Sequence, residues 1–258
     1  MKKVVNALRI AREKQIDALN LPSLPKEFIL KSISDSNINT HIVTHFYPKS
    51  PISEQYLRLR ANVKTLMKHK GLKVMAITSS VDGEGKSITC LNLAVAMAKD
   101  VDCKSVLLID CDLRRGCIGD SLAHSSKAGL SEYLMINADI DNILYKTKIN
   151  KLTVIPRGKI VENPTELLSS DKMKDLLKKL REKFDVIILD NAPVIPVSDA
   201  GIVCALADGA MMVVRTGKTQ RGVVKHAAEM LRLNNVNMLG YILTHVEYYI
   251  PGYIYKYI

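Results

Sequence analysis

Short apolar runs alternate with longer amphipathic segments between about residues 74 and 243. The run Val186-Ile187-Ile188-Leu189 is apolar at every position, which is typical of a strand buried on both faces of a parallel sheet. The pattern predicts these strands: Val74–Thr78, Ser105–Ile109, Leu152–Ile155, Val186–Leu189, Gly209–Val214 and Met238–Leu243. It predicts helices between them, near residues 86–99, 165–183, 198–206 and 219–234. We therefore expect an α/β protein with a mostly parallel central sheet flanked by helices.

The first predicted strand leads into a glycine-rich loop. This loop ends in Gly83-Glu84-Gly85-Lys86-Ser87 and opens a helix. Glycines let backbone N–H groups converge on phosphate oxygens, and the helix N-terminus adds positive potential. In such a loop the lysine reaches the β and γ phosphates, and the hydroxyl after it binds Mg²⁺. The fold is thus predicted to be phosphate-loop NTPase-like, with nucleotide contacts from Ser80, Asp82, Gly83, Glu84, Gly85, Lys86, Ser87 and Ile88.

Two further predicted strands end in aspartates. Asp110 and Asp112 follow the second strand, and Asp190 follows the fourth. A carboxylate just past a buried strand is either a turn former or a metal ligand. One alone would favour the turn, whereas two such strand ends downstream of a phosphate loop favour a metal site. The predicted Mg²⁺ ligands are therefore Ser87, Asp112 and Asp190, the aspartates either directly or through water.

In combination these motifs resemble those of the bacterial tyrosine autokinases of the capsular and exopolysaccharide system. The main matches are Ser79-Ser80-x-x-Gly83-Glu84-Gly85-Lys86-Ser87, Asp110-x-Asp112-x-Arg114 and Asp190-x-x-Pro193. Further stretches that fit are Ser50–Glu54 with Arg60 and Asn62, Ile155–Gly158 and Asn163–Leu168. The resemblance covers about residues 46–258. Partition and septum-site ATPases of the same class usually carry an early lysine in the loop, which this chain lacks.

The C-terminus carries a tyrosine cluster that ordinary ATPases lack. Half of the ten tyrosines lie in the last eleven residues, namely Tyr248, Tyr249, Tyr253, Tyr255 and Tyr257. Pro251 and Gly252 lie among them and argue against a regular helix. Taken alone, the segment fits an apolar-aromatic tail that packs on a neighbour or a membrane surface. With the kinase motifs we interpret it as a cluster of phosphoacceptors, a role that suits a flexible terminus.

The resemblance implies an ATP-dependent protein-tyrosine kinase that phosphorylates its own tail and regulates polysaccharide synthesis or export. It assigns Asp110 as the acceptor of the tyrosine proton. Lys86 and Arg114 are expected to offset charge on the transferred phosphoryl group. The predicted catalytic residues are Asp110, Lys86 and Asp112, and the cofactors are ATP and Mg²⁺. The acceptor tyrosines are expected to come from a neighbouring subunit.

The resemblance also implies partners. It suggests that a membrane-anchored polysaccharide co-polymerase activates the kinase and that a cognate phosphotyrosine phosphatase acts on it. It also suggests a homo-oligomer in the cytoplasm that a partner holds at the inner face of the membrane. The family's oligomerisation helix usually reads Glu-x-x-Arg-x-x-Arg. Here Glu54 and Arg60 fit, but Leu57 takes the first arginine position and Arg58 lies one residue later. A helix turns about 100° per residue, so Arg58 cannot make the same contact and the oligomer size is open.

Composition limits the function without defining it. The 258-residue chain has a formal net charge of +11, which permits binding to nucleic acid or to an anionic surface. Its lysines are scattered, however, and we predict no nucleic-acid partner. The five cysteines have no metal-ligand spacing, as expected of free thiols in a reducing cytoplasm. No uncharged apolar run reaches the length of about 18 residues that a transmembrane helix needs.

The N-terminal region shows the weakest pattern of core-forming residues. Residues 1–20 suit a helix, and residues 21–50 carry prolines, serines and asparagines without a clear period, as in a linker or extended arm. A helix is predicted from Ser53 to about Lys70. The chain thus divides into an N-terminal arm or docking segment (1–45), a phosphate-loop kinase domain (46–247) and a tyrosine-rich C-terminal tail (248–258).

Two other functions fit the loop. A partition-type, surface-associated ATPase without kinase activity predicts slow hydrolysis that a partner stimulates, and no phosphotyrosine. A nucleotide-sensing adaptor predicts ATP binding without turnover. It also predicts normal function after all five tail tyrosines are replaced by phenylalanine.

Overall fold

The structure, a computed structural model, describes residues 38–122, 128–136 and 139–246. Its strands are β1 Val74–Ser79, β2 Val106–Asp110, β3 Tyr145–Lys146, β4 Leu152–Ile155, β5 Val186–Asp190, β6 Gly209–Arg215 and β7 Met238–Thr244. Its helices are α1 Val43–Phe46, α2 Pro51–Lys70, α3 Lys86–Ala98, α4 Ile118–Ser121, α5 Leu130–Met135, α6 Pro164–Ser169, α7 Asp171–Lys183, α8 Asp199–Leu206 and α9 Arg221–Leu233. Ile140–Asn142 forms a short 3-10 turn.

These strands form one sheet in the order β3-β4-β2-β5-β1-β6-β7. The short β3 pairs antiparallel with β4, and every other pairing in the described sheet is parallel. Strand β5 lies between β1 and β2, so the carboxyl ends of these strands meet at the centre of the sheet. Asp190 is in register with Asp110 on one side and with Ile77 on the other. In α/β sheets this edge is where ligands bind.

Helices cover both faces of the sheet, as the all-apolar strands predict. Every residue of β1 and β2 is buried. Met75 and Ile77 of β1 belong to the apolar cluster that includes α2 and α3, whereas Val74 and Ala76 belong to the cluster that includes α7, α8 and α9. The α/β architecture predicted from the sequence is confirmed.

The predicted strands match the observed ones to within one residue at each end. The predicted helix 165–183 is instead two helices, α6 and α7. They separate because Ser170 has extended backbone (φ −66°, ψ 153°) and its hydroxyl caps α7 by accepting the Met173 N–H. Strand β3 escaped prediction because two residues are too few to show a period-2 pattern.

Residues 38–45, which the sequence analysis places in the N-terminal arm, pack on α3. Ile42 is fully buried, and the Asn92 side-chain oxygen accepts hydrogen bonds from the Thr44 N–H and hydroxyl. The packed part of the domain therefore includes Ile38 and the residues after it. The division of the chain stays a prediction, since the helix expected in 1–20 and the tail 248–258 lie outside the described residues.

Candidate active site

The phosphate loop connects β1 to α3 at the centre of the sheet. Gly83 and Gly85 have φ angles of 77° and 93°, in the left-handed region that glycine adopts without steric cost. Gly85 directly precedes α3, whose first two residues are Lys86 and Ser87. The first turn of a helix carries N–H groups without intrahelical partners, so this position favours an anion.

The side chain of Glu84 is engaged within the protein. It is 2% exposed, and its carboxylate accepts hydrogen bonds from the Val81 N–H (3.0 Å), the Arg215 N–H (3.2 Å) and the Thr219 hydroxyl (2.6 Å). These contacts tie the loop to the end of β6 and to the turn that follows. The carbonyl oxygen of Glu84 also accepts the Thr244 hydroxyl (2.9 Å), so among its polar groups the backbone N–H is the one left to contact a nucleotide.

The three predicted aspartates lie together at the carboxyl ends of β2 and β5. Asp110 and Asp190 are fully buried, and Asp112 is 3% exposed. Asp110 Oδ2 accepts the Ile118 N–H (3.0 Å), and Asp190 Oδ1 accepts the Cys90 thiol (3.3 Å). Within the described residues, Asp110 Oδ1 and Asp190 Oδ2 have no hydrogen-bond partner. Buried polar atoms of this kind are costly, so they point to a ligand that would satisfy them.

The same burial raises the pKa of both fully buried aspartates. Desolvation is the main cause for Asp110, and the negative charge of Asp190 adds to it. Desolvation also raises the pKa of Asp190, although the positive charge of Lys86 opposes the effect. A raised pKa suits a carboxylate that must accept a proton near neutral pH.

Lys86 joins the loop to the aspartates. Its Nζ lies 3.0 Å from Asp112 Oδ2 and 3.3 Å from Ser87 Oγ. Burial alone would lower the pKa of Lys86, but the charges of Asp190 and Asp112 raise it above its ordinary value. Lys86 is therefore held as a cation between the loop and the strand ends.

The oxygen atoms at this site fit a Mg²⁺ ion that is bound together with a nucleotide. In the part of the chain that the structure describes, no group of three or more His, Cys, Asp or Glu could hold a metal by itself. Mg²⁺ in nucleotide sites needs only one or two protein ligands, because waters and substrate phosphates complete its shell. The unpaired Asp190 oxygen is such a donor. The assignment of Ser87, Asp112 and Asp190 as ligands stays a prediction.

Arg114 has a different partner from the one expected. Its Nε donates to Asp199 Oδ2 (2.7 Å) and its Nη2 to Asp199 Oδ1 (3.3 Å). Asp199 is 1% exposed and also accepts the Thr165 hydroxyl (2.6 Å). Moving Arg114 to a phosphoryl group would leave a buried carboxylate without its cation, which is strongly unfavourable. Arg114 therefore fixes the loop after β2 onto α6 and α8, and its expected effect on the transferred phosphoryl group stays a prediction.

Replacing Arg114 by glutamine is expected to destabilise the fold. The change leaves Asp199 buried without a cation, at a cost of about 2 kcal/mol or more. The thermal midpoint should fall by roughly 4–8 °C. Differential scanning calorimetry of this variant and of Arg58→Gln, an exposed arginine on α2, provides the measurement and its control. An unchanged midpoint for Arg114→Gln would contradict the structural role.

Sequence reasoning missed several residues that support the aspartates. A Cβ at position 116 would overlap the Asp110 carboxyl group, so Gly116 permits that carboxyl group its position. The Arg115 N–H donates to Asp112 Oδ1 (2.9 Å). An unexplained glycine beside a motif is a usable signal, because glycine often marks a close approach. The contact of Cys90 with Asp190 had no such signal in the sequence.

Part of the predicted oligomerisation motif is used within the chain. Arg60 Nη1 donates to the Ala96 carbonyl (3.3 Å), and its Nε lies 3.5 Å from Asp100 Oδ2. Glu54 and Arg58 are exposed on α2. The oligomer itself stays a prediction.

Known proteins resemble this chain over most of its length. A family model described as an AAA domain matches residues 72–225. The tyrosine-protein kinase YwqD of Bacillus subtilis is 34% identical over 225 residues, which are 85% of this chain and 94% of YwqD. The chain belongs to the bacterial tyrosine-protein kinases. The tyrosine-protein kinase CpsD of Streptococcus agalactiae is 35% identical over 203 residues, 78% of this chain and 87% of CpsD.

Solved structures agree with this family. The kinase domain of the Escherichia coli tyrosine kinase ETK superposes with a TM-score of 0.75 at 29% identity, covering 82% of this chain and 84% of that domain. These similarities confirm the predicted family and its phosphate-loop fold. They also confirm the enzyme class of a protein-tyrosine kinase, and they favour this class over the partition-type ATPase. No helix within the described ranges is long and apolar enough to span a bilayer.

Proposed function

We propose that this kinase transfers the γ-phosphoryl group of ATP to tyrosines of its own C-terminal tail and thereby regulates polysaccharide synthesis or export. The observation that carries the proposal is the convergence of Lys86 and the three strand-end aspartates on one phosphate loop. The proposed acceptors are Tyr248, Tyr249, Tyr253, Tyr255 and Tyr257.

The loop from Ser80 to Ser87 binds the ATP phosphates in this proposal, and Lys86 lies beside the γ-phosphoryl group. The N–H groups of the loop and of the first turn of α3 orient the phosphates for transfer. Bound Mg²⁺ would supply charge neutralisation on the phosphate oxygens, and Ser87, Asp112 and Asp190 would hold it.

Asp110 accepts the tyrosine proton at its unpaired Oδ1. As the tyrosine oxygen forms its bond to the γ-phosphorus, the bond from that phosphorus to ADP breaks and ADP leaves with the electron pair. The phenolic proton moves to Asp110. Three features support this role: the free oxygen atom, the raised pKa, and the position that Ile118 and Gly116 enforce on the carboxyl group.

We also propose the partners that the family resemblance implies. A membrane-anchored polysaccharide co-polymerase activates the kinase at the inner face of the membrane, and a cognate phosphotyrosine phosphatase reverses the reaction. The kinase forms a homo-oligomer in which each tail reaches the site of a neighbour. The exposed positions of Glu54 and Arg58 on α2 are compatible with such an assembly.

Intact-mass measurement before and after ATP·Mg²⁺, with peptide mapping of residues 248–258, tests the proposal. We expect added phosphoryl groups confined to the tail, and none after all five tail tyrosines are changed to phenylalanine. Tyr241→Phe is the matched control, because Tyr241 is an exposed tyrosine (52%) on β7 outside the tail. Phosphoryl groups that map outside the tail, or modification that persists in the five-fold variant, would refute tail autophosphorylation.

A further inference from the structure

Several aspartates lie in or beside the phosphate loop. Asp82 lies within the loop, and Asp110, Asp112 and Asp190 lie at the strand ends beside Lys86. A nucleoside triphosphate would add several more negative charges. Proteins commonly bind such phosphates with guanidinium groups, which form charge-assisted and often bidentate hydrogen bonds. A guanidinium group near the loop could therefore bind the phosphates alongside Lys86 and the proposed Mg²⁺.

Two consecutive arginines follow Asp112, and the structure gives them different tasks. Arg114 is committed to the buried carboxylate of Asp199. Arg115 is 76% exposed, and its Nη1 lies 3.2 Å from Oδ2 of Asp82, which is 54% exposed. Ion pairs between exposed side chains contribute little to stability, so Arg115 can exchange this partner readily.

The backbone of Arg115 is nevertheless fixed at the site. Its N–H donates to Asp112 Oδ1 (2.9 Å), and the other oxygen of Asp112 pairs with Lys86 (3.0 Å). Asp112 thus links the backbone of Arg115 to Lys86, and the side chain of Arg115 reaches Asp82 in the phosphate loop. The backbone of Arg115 is therefore held at the site, while its exposed guanidinium group pairs with Asp82 alone among the described residues.

We propose that Arg115 is a nucleotide-contacting residue whose guanidinium group leaves Asp82 and binds the terminal phosphate of ATP. Asp82 then serves as the partner of Arg115 when no nucleotide is bound, and it competes with the phosphate for the same cation. This inference rests on the proposed function, because it requires that the loop bind ATP.

Calorimetric titration with ATP and with ADP tests this role in the full-length chain. Arg115→Gln is expected to weaken ATP binding about tenfold and ADP binding much less, because ADP lacks the terminal phosphate. Asp82→Asn is expected to bind ATP at least as tightly as the wild type, since it removes the competing carboxylate. The thermal midpoint of nucleotide-free Arg115→Gln should equal that of the wild type. Arg58→Gln, a distant exposed arginine on α2, is the control.

Opposite results would overturn the inference. If both variants weakened ATP and ADP binding equally, the Arg115–Asp82 ion pair would stabilise the conformation of the loop, and Arg115 would not bind the terminal phosphate. Unchanged ATP binding in Arg115→Gln, while Lys86→Met abolishes it, would reject Arg115 and leave the proposed function intact. Failure of the wild type itself to bind ATP would instead refute the proposed function.

Discussion

Replacing Lys86 by methionine is expected to reduce tail phosphorylation by at least about 100-fold. Lys86 is the cation that the structure places against Ser87 and Asp112, where phosphates and metal are proposed to bind. Methionine keeps much of the length of the side chain but removes its charge. Radiolabelled phosphate transfer from ATP, or phosphotyrosine immunoblotting over a time course, measures the effect.

Two further variants separate chemistry from folding. Lys86→Met also leaves Asp112 buried without its cation, so some loss of stability is expected. Lys86→Arg keeps the charge, and with it most of the stability, but a planar guanidinium does not replace a compact ammonium group, so activity should still be lost. Lys104→Met, at an exposed lysine, should behave as the wild type. Full activity in Lys86→Met would rule out the proposed mechanism.

Replacing Asp110 by asparagine is expected to lower activity and to raise stability. The amide cannot accept the tyrosine proton, and loss of a general base typically costs about 100-fold to 10,000-fold in rate. In the folded chain, burial and the charge of Asp190 raise the pKa of Asp110. Ionising Asp110 therefore destabilises the fold, and asparagine removes that cost while keeping an oxygen that can accept the Ile118 N–H.

The stability difference between Asp110→Asn and the wild type is expected to depend on pH. The folded chain holds the Asp110 proton more tightly than the unfolded chain does. The free energy of unfolding of the wild type therefore falls as the pH rises from the ordinary carboxyl pKa, near about 4, towards the raised value. At neutral pH, Asp110→Asn should have a larger free energy of unfolding than the wild type, and the difference should narrow towards acidic pH.

Urea unfolding at several pH values, run beside the kinase assay, provides the measurement. Asp120→Asn is a matched control, because Asp120 is an exposed aspartate on α4. An Asp110→Asn protein that is less stable than the wild type at neutral pH would contradict the assigned cause of the raised pKa. Retained phosphorylation would contradict the role of Asp110 as the proton acceptor.

Much of the site could be predicted because its parts are local in the chain. An apolar run that ends in aspartate identifies a strand end without knowledge of its neighbours. The run from Gly83 to Ser87 indicates a phosphate loop because it lies between a predicted strand and a predicted helix. The role of Arg114 could not be predicted in this way. Its partner Asp199 lies far along the chain, and only the packing of α8 beside the loop brings the two together.

Glu84 shows the same limit within the loop itself. Its position in the motif indicates a nucleotide contact. Its carboxylate, however, accepts hydrogen bonds from the Arg215 N–H at the end of β6 and from the Thr219 hydroxyl in the turn that follows. The reverse holds for Arg115, which no motif singled out. The structure places its guanidinium group on Asp82, and from that contact its proposed role follows.

The sequence by itself determined the strands, the phosphate loop, the candidate aspartates and the kinase family, because each depends on residue types and short spacings. The tertiary structure decided which of these residues meet. It placed β5 between β1 and β2, which sets Asp110 beside Asp190 and leaves two buried carboxylate oxygens without hydrogen-bond partners among the described residues. The physical reason is that strand order and register arise from packing between segments that are distant in the chain, and local patterns do not contain that information.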